Sequence, residues 1–160
     1  MTQLSIDVRP PLEDEYEQWA VLFRAYRQFY RLAPDETVVE RVWSWVHDPA
    51  HETRALVAAL PGSRVRPGVP GSIVGLAHYR CFARPSTGTR GVFLDDLLTD
   101  PGHRGQGIGR ALITGVGEAA VQDGCSLLRW ITADDNEPGQ HLYDQVATKT
   151  TWLTYDRHLV

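Results

Sequence analysis

The chain is poor in sulfur, with two cysteines and one methionine in 160 residues. Cys81 and Cys125 lie far apart with no pairing spacing. That argues against a disulfide framework and for free, buried thiols in a reducing compartment. A long apolar run is also missing. No stretch approaches the length that crosses a bilayer, and no charged-then-apolar leader opens the chain. The expectation is a soluble, cytoplasmic protein without a membrane partner. Positive charge is in deficit: 16 Lys and Arg face 20 Asp and Glu, giving a net charge of −4 and a pI near 5.8. A nucleic-acid partner would want a basic stripe, so none is expected. The acidic balance leaves room for a cationic substrate. The six histidines (His47, His51, His78, His103, His141 and His158) show no His-x-x-x-His spacing, so no metal is expected.

What is present is an ordinary globular mixture. Apolar residues make up 42 % and charged residues 22 %, over a length that suits one domain, residues 1–160, around one core. No repeat, low-complexity tract or interdomain linker interrupts it.

Leu4 to Arg9 alternates apolar and polar side chains and predicts a first strand, ended by Pro10-Pro11. From Glu13 the period becomes helical, with Tyr16, Trp19, Ala20, Phe23, Tyr26, Arg27 and Tyr30 recurring at three and four. Trp19 and Phe23 read as core. Tyr26, Phe29 and Tyr30 lie toward the helix end, where aromatic faces can wall a site for a cation. Thr37-Val38-Val39-Glu40 fits a capping box and predicts a second helix to about His47, with Val38, Val42, Trp45 and Val46 on its apolar side.

Thr53 to Leu60, Ile73 to Phe82 and Phe93 to Thr99 predict an antiparallel run of three strands. The Pro- and Gly-rich stretch Pro61 to Gly71 and the polar loop Arg84 to Arg90 connect them. Ile108 to Val121 reads as a helix and Ser126 to Thr132 as a strand. A strand–helix–strand run of this length implies a right-handed parallel crossover. Asp134-Asp135-Asn136 caps a further helix, from about Glu137 to Val146. Thr150 to Leu159 predicts a closing strand.

The central stretch runs from Phe93 to Ile113. An apolar strand holds the adjacent carboxylates Asp95 and Asp96, and a turn leads into the loop Arg104-Gly105-Gln106-Gly107-Ile108-Gly109. A helix that starts on such glycines offers unpaired N–H groups and a positive dipole end to a phosphate. No Lys follows the glycines, so this is not a P-loop, and their spacing is not the dinucleotide fingerprint. A plain strand-to-helix turn remains the bland alternative.

Strand parity sends Asp95 and Asp96 to opposite faces. One would face a pocket, where it could hold or deprotonate an ammonium group if the chemistry is acyl transfer from a thioester to an amine. The other would need buried partners. A carboxylate near pKa ~4 is a poor base for an amine near ~10, so orienting the amine or acting through water suits it better. Tyr143 is the candidate acid, since a phenol giving its proton to a thiolate is uphill by only about 2 kcal/mol. A backbone N–H near Leu98 would polarise a thioester carbonyl if the sheet opens beside its strand.

Arg104-x-x-Gly107-x-Gly109 resembles the Arg/Gln-x-x-Gly-x-Gly/Ala loop of the GCN5-related N-acetyltransferases (the GNAT superfamily). Asn136-Glu137-Pro138-Gly139-Gln140-His141-Leu142-Tyr143 resembles that family's second motif, Asn-x-x-Ala-x-x-Leu-Tyr. Leu94-Asp95-Asp96-Leu97 is most similar to the Leu-Glu-Asp-Leu of the spermidine/spermine (diamine) acetyltransferases and their small-amine relatives. The resemblance covers nearly the whole chain. It implies an α/β fold with a mixed, mostly antiparallel sheet flanked by helices. It also implies transfer of acetyl from acetyl-CoA to the primary amine of a small molecule by direct attack.

Carried over residue by residue, Leu97, Leu98 and Thr99 offer backbone to the pantetheine arm. Arg104, Gly105, Gln106, Gly107, Ile108 and Gly109 bind pyrophosphate, and Asn136 and Gly139 contact the cofactor. Tyr143 is the general acid. Asp95 contacts the amine, with Asp96, Tyr26 and Arg27 at the substrate wall. A homodimer is one arrangement the resemblance implies. A protein or amino-acid N-acetyltransferase and a non-catalytic CoA-binding module are the alternatives. The chain departs from the pattern in three places: Asp95 stands for Glu, Gly139 for Ala, and Lys149-Thr150-Thr151-Trp152 lacks the usual Gly-Phe.

Overall fold

The computed structural model describes residues 5–61 and 72–159. Leu4 and most of the Pro61 to Gly71 connection lie outside the described residues. Five strands form one sheet: β1 (Asp7–Arg9), β2 (Thr53–Leu60), β3 (Ser72–Arg84), β4 (Thr89–Thr99) and β5 (Leu128–Arg129). They lie in sequence order, with β1 to β4 antiparallel and β5 parallel to β4. The expected mixed, mostly antiparallel sheet is therefore found. Helices α1 (Tyr16–Phe29) and α2 (Glu36–His47) belong to the core on one face, and α3 (Ile108–Gln122) covers the other. Helix α4 (Glu137–Val146) packs beside α3.

The two faces hold separate apolar clusters, because side chains alternate along each strand. Leu76 and Leu98 meet Trp19, Phe23 and Val39 on the α1 face. Ala77, Val92 and Leu94 meet Ile108, Leu112 and Val116 on the α3 face. Trp19 and Phe23 are thus core residues, as their period indicates.

Several boundaries differ from expectation, each for a local reason. Helix α2 is capped by Asp35, not by a Thr37 box. The Asp35 carboxylate accepts from the Thr37 N–H at 2.9 Å and the Thr37 hydroxyl at 2.6 Å, so the helix begins at Glu36. Its inner face is carried by Val39, with Val42 and Trp43, whereas Trp45 turns outward and stacks on His51 at 4.7 Å. One turn of 3₁₀ helix, Glu13–Glu15, precedes α1. The predicted strand Ser126 to Thr132 shrinks to the two residues of β5, which pair only with Val92 and Phe93. The closing strand Thr150 to Leu159 does not form. That segment carries no regular structure, and Trp152, Leu153, Tyr155 and Leu159 are more than three-quarters exposed. Among the described residues it has no strand to pair with.

Candidate active site

A short β5 leaves β4 open. Beyond Phe93, the β5 side of β4 has no strand partner among the described residues. The Asp100 N–H donates to the Val74 carbonyl of β3 at 2.8 Å. Backbone direction alternates along a strand, so the Leu98 N–H also turns toward β3. The N–H groups of Leu97 and Thr99 therefore face the open edge. The donor expected near Leu98 would thus be the N–H of Leu97 or Thr99.

The Gly-rich loop stands at one end of this edge. Gly107 caps α3 with φ +84° and no side-chain hydrogen bond, a conformation that suits glycine. Arg104, Gly105, Gln106 and Gly107 are exposed, whereas Ile108 is buried in the core. The first turn of α3 thus presents uncapped N–H groups, a fit for a pyrophosphate. Arg110 donates to Gln145 of α4 at 2.5 Å and ties the two helices together. A groove of about 710 Å³ between β1 and α3 is lined by Arg9, Arg54 and Arg110, but Asp95, Asp96 and Tyr143 do not border it.

Asn136 begins α4. Its carboxamide accepts from the Gly139 N–H at 3.3 Å and donates to the Thr132 hydroxyl at 2.9 Å. A Cβ on Gly139 would stand 2.4 Å from the Asn136 amide nitrogen. The Gly for Ala departure is thus explained by the cap folded over it. Tyr143 packs edge-on against Trp130 at 5.3 Å. Burial pushes its phenol above the ordinary range, and Tyr30 adds to the shift. Tyr30, at the end of α1, is therefore near enough to Tyr143 of α4 to influence its proton.

The two carboxylates do not obey strand parity. His78 pairs with Asp96 and Tyr79 with Leu94, so Asp95 is the extra residue of a β-bulge. The bulge returns both carboxylates to the α1 face. Asp96 meets His78 at 2.8 Å, and Asp95 meets Arg80 at 3.2 Å. Arg80 also lies over the Phe93 ring, 5.1 Å from its centre. Burial pushes the Asp95 carboxyl up, Arg80 pulls it down and Asp96 pushes it up, with a net upward shift.

The Tyr26 hydroxyl donates to the Asp95 carbonyl at 3.4 Å. Burial, then the charge and hydrogen bond of Asp96, holds its proton far above the ordinary range. Tyr26 packs against Tyr30 with the rings tilted and their centres 4.9 Å apart. Arg27 is not part of this group, since its guanidinium donates to the Ala33 carbonyl at 2.7 Å, on the connection after α1. Composition and spacing do not single out His78 or Arg80. Both sit on β3, and only the sheet register brings them opposite Asp96 and beside Asp95.

Comparisons with known proteins bear on the family and the fold. A thialysine N-epsilon-acetyltransferase of Bos taurus is 38 % identical over 79 residues, 48 % of this chain and 46 % of that protein. The match thus spans about half of that relative's length. The D-amino-acid N-acetyltransferase HPA3 of Saccharomyces cerevisiae is 28 % identical over 142 residues, 89 % of this chain and 84 % of that protein. The crystal structure of a ribosomal-protein-alanine N-acetyltransferase from Brucella melitensis biovar Abortus 2308 superposes with a TM-score of 0.73 at 27 % identity, covering 97 % of this chain and all of that one. The model of the Acetyltransferase (GNAT) family matches residues 12–147, and the chain belongs to that family.

Proposed function

We propose that the protein transfers the acetyl group of acetyl-CoA to the primary amine of a small molecule. The observation that carries this reading is the open edge of β4. It lies between the uncapped start of α3 and a cluster formed by Tyr26, Tyr30, Asp95, Asp96 and Tyr143. Acetyl-CoA, when bound, supplies the acetyl thioester.

The chain's own residues divide the remaining work. The first turn of α3, with Arg104 to Gly109, holds the pyrophosphate, and Thr99 and Leu98 lie along the arm between it and the thioester. The Leu97 N–H donates to the thioester carbonyl oxygen, where negative charge develops during attack. The Asp95 and Asp96 pair on the α1 face receives the amine in the positive form that the faces of Tyr26 and Tyr30 favour. One proton passes from it through water to solvent, so that the neutral nitrogen attacks the thioester carbon as the C–S bond breaks. Tyr143 retains its proton at neutral pH and gives it to the leaving thiolate. Neither cysteine is placed in this group, which suits direct attack by the amine. The relatives named for thialysine and for D-amino acids support a small amine, and Arg80 beside the carboxylates gives an amino-acid acceptor a cation for its own carboxylate.

The test is CoA release from acetyl-CoA across spermidine, thialysine, D- and L-amino acids, an aminoglycoside and a basic peptide. Turnover with one small-amine class, slowed in Tyr143→Phe, supports the reading. Tight acetyl-CoA binding with no acceptor above background hydrolysis sinks it in favour of a CoA-binding module. Turnover of the peptide alone favours a protein acceptor.

A further inference from the structure

Behind Asp96 stands a buried chain of hydrogen bonds that the acetyl-transfer reading does not use. The Trp19 indole Nε1 lies 3.1 Å from His78 Nε2, and His78 Nδ1 lies 2.8 Å from an Asp96 carboxylate oxygen. An indole N–H is only a donor, so His78 Nε2 must accept. A ring nitrogen that accepts carries no proton, so the imidazole is neutral with its proton on Nδ1. That proton is donated to Asp96.

Trp19 is fully buried and His78 is 2 % exposed, while Asp96 is 23 % exposed. One end of the chain is therefore locked in the core, and the other opens at the acceptor site. Phe23 packs edge-on to the imidazole at 5.1 Å and Trp43 backs Trp19 at 4.9 Å, so neither ring is free to turn. The groups around His78 are the Trp19 and Phe23 rings of α1, Ala55 of β2, Arg80 on its own strand, and Asp95 and Asp96 of β4. The Tyr26 hydroxyl of α1 faces Asp96. Arg80 is already engaged with Asp95, so Asp96 is the carboxylate of the pair without a cationic partner.

We propose that Trp19 and His78 are positioning residues: they fix a neutral imidazole whose Nδ1–H holds the Asp96 carboxylate aimed at the incoming ammonium group. Asp96, not Asp95, is then the carboxylate that reads the acceptor's charge. Arg80 restrains Asp95 and leaves it a lesser role. This rests on the amine-acetylation reading, but the hydrogen-bonded state of His78 does not, and the two are tested apart.

The first arm needs no turnover. Long-range ¹H–¹⁵N correlation spectra of the whole protein between pH 6 and 8.5 should show His78 neutral with the proton on Nδ1. An imidazolium at neutral pH, or a proton on Nε2, overturns the proposal.

The second arm is kinetic, with spermidine and thialysine as acceptors. His78→Leu should lower kcat/KM for the amine by about 30-fold or more while KM for acetyl-CoA stays within about twofold. His78→Asn, which keeps a donor near the Nδ1 position, should recover a large part of that loss. Asp96→Asn should cost at least about tenfold more than Asp95→Asn. Trp19→Phe removes the donor that fixes the tautomer, so its spectra should show the His78 proton no longer confined to Nδ1. If Trp19→Phe does not fold, the His78 variants carry the test. Equal losses in His78→Leu and His78→Asn, or a larger loss in Asp95→Asn, overturn the proposal. Absence of turnover in the wild type overturns the amine-acetylation reading, and the His78 spectra then decide the relay by themselves.

Discussion

Arg9 clamps Glu15 with both terminal nitrogens, at 2.6 and 2.8 Å, and the Glu15 side chain is only 1 % exposed. The same carboxylate accepts the Leu12 N–H at 2.8 Å, so one group joins β1 to the start of α1. Burial pushes the Glu15 carboxyl up, but the Arg9 and Leu12 hydrogen bonds outweigh it and the net shift is downward. A depressed carboxyl stabilises the fold above its unfolded value of 4.5, and that stability is lost as pH falls through the lower folded value. Glu15→Gln leaves Arg9 without its partner and should cost about 3 kcal/mol at pH 7. In urea titrations the gap between wild type and variant should narrow below pH 4.5. A gap independent of pH would show that the charge of Glu15 is immaterial.

Tyr143→Phe removes the candidate acid and leaves the ring packed on Trp130. The expected result is a fall in kcat of about 10² or more with little change in either KM. Because burial and Tyr30 raise the Tyr143 phenol above its ordinary value of 10.0, it keeps its proton throughout the neutral range. The rate that depends on it should fall to half only above pH 10.0, as a stopped assay can follow. An alkaline limb near neutrality would assign the acid to another group.

Gly107→Val tests the loop. A β-branched residue at φ +84° is strained, and its side chain would crowd the first turn of α3. KM for acetyl-CoA should rise at least about tenfold, with amine KM unchanged. Unchanged acetyl-CoA binding by calorimetry would remove this loop from the cofactor site.

Gly139→Ala sets two local effects against each other. Alanine favours helix by about 1 kcal/mol, but its Cβ displaces the Asn136 cap, which is worth about the same. The midpoint of urea unfolding should therefore hardly move. A stabilisation of the full helix-propensity value would mean that the Asn136 cap contributes nothing.

Cys81 and Cys125 have Sγ atoms 3.7 Å apart, although 44 positions separate them. Burial, then the hydrogen bond to Cys125, pushes the Cys81 thiol above its usual range. Less of it is thiolate at pH 7.5, so iodoacetamide should label Cys81 at least about tenfold more slowly than free cysteine. Mass spectrometry of timed samples reads this directly, and labelling at the free-cysteine rate would contradict the burial.

The sequence alone determined what is local. Apolar period placed α1, α3, β2 and β3 close to their observed limits, because burial of one face is written in side-chain order. By contrast, β4 begins four residues before the expected Phe93, at Thr89, inside the stretch expected as a polar loop. The Gly-rich loop and the Asn136 cap were legible because glycine conformation and helix capping act over a few residues. Tertiary structure decided what depends on register and on partners. The bulge at Asp95 overrode strand parity, since one extra residue reverses every later side chain. Only pairing of β3 with β4 and packing of α1 joined Trp19, His78 and Asp96, and only folding brought Cys81 to Cys125. The tail from Thr150 shows the opposite limit: its sequence predicts a closing strand, yet a strand exists only where another backbone completes its hydrogen bonds.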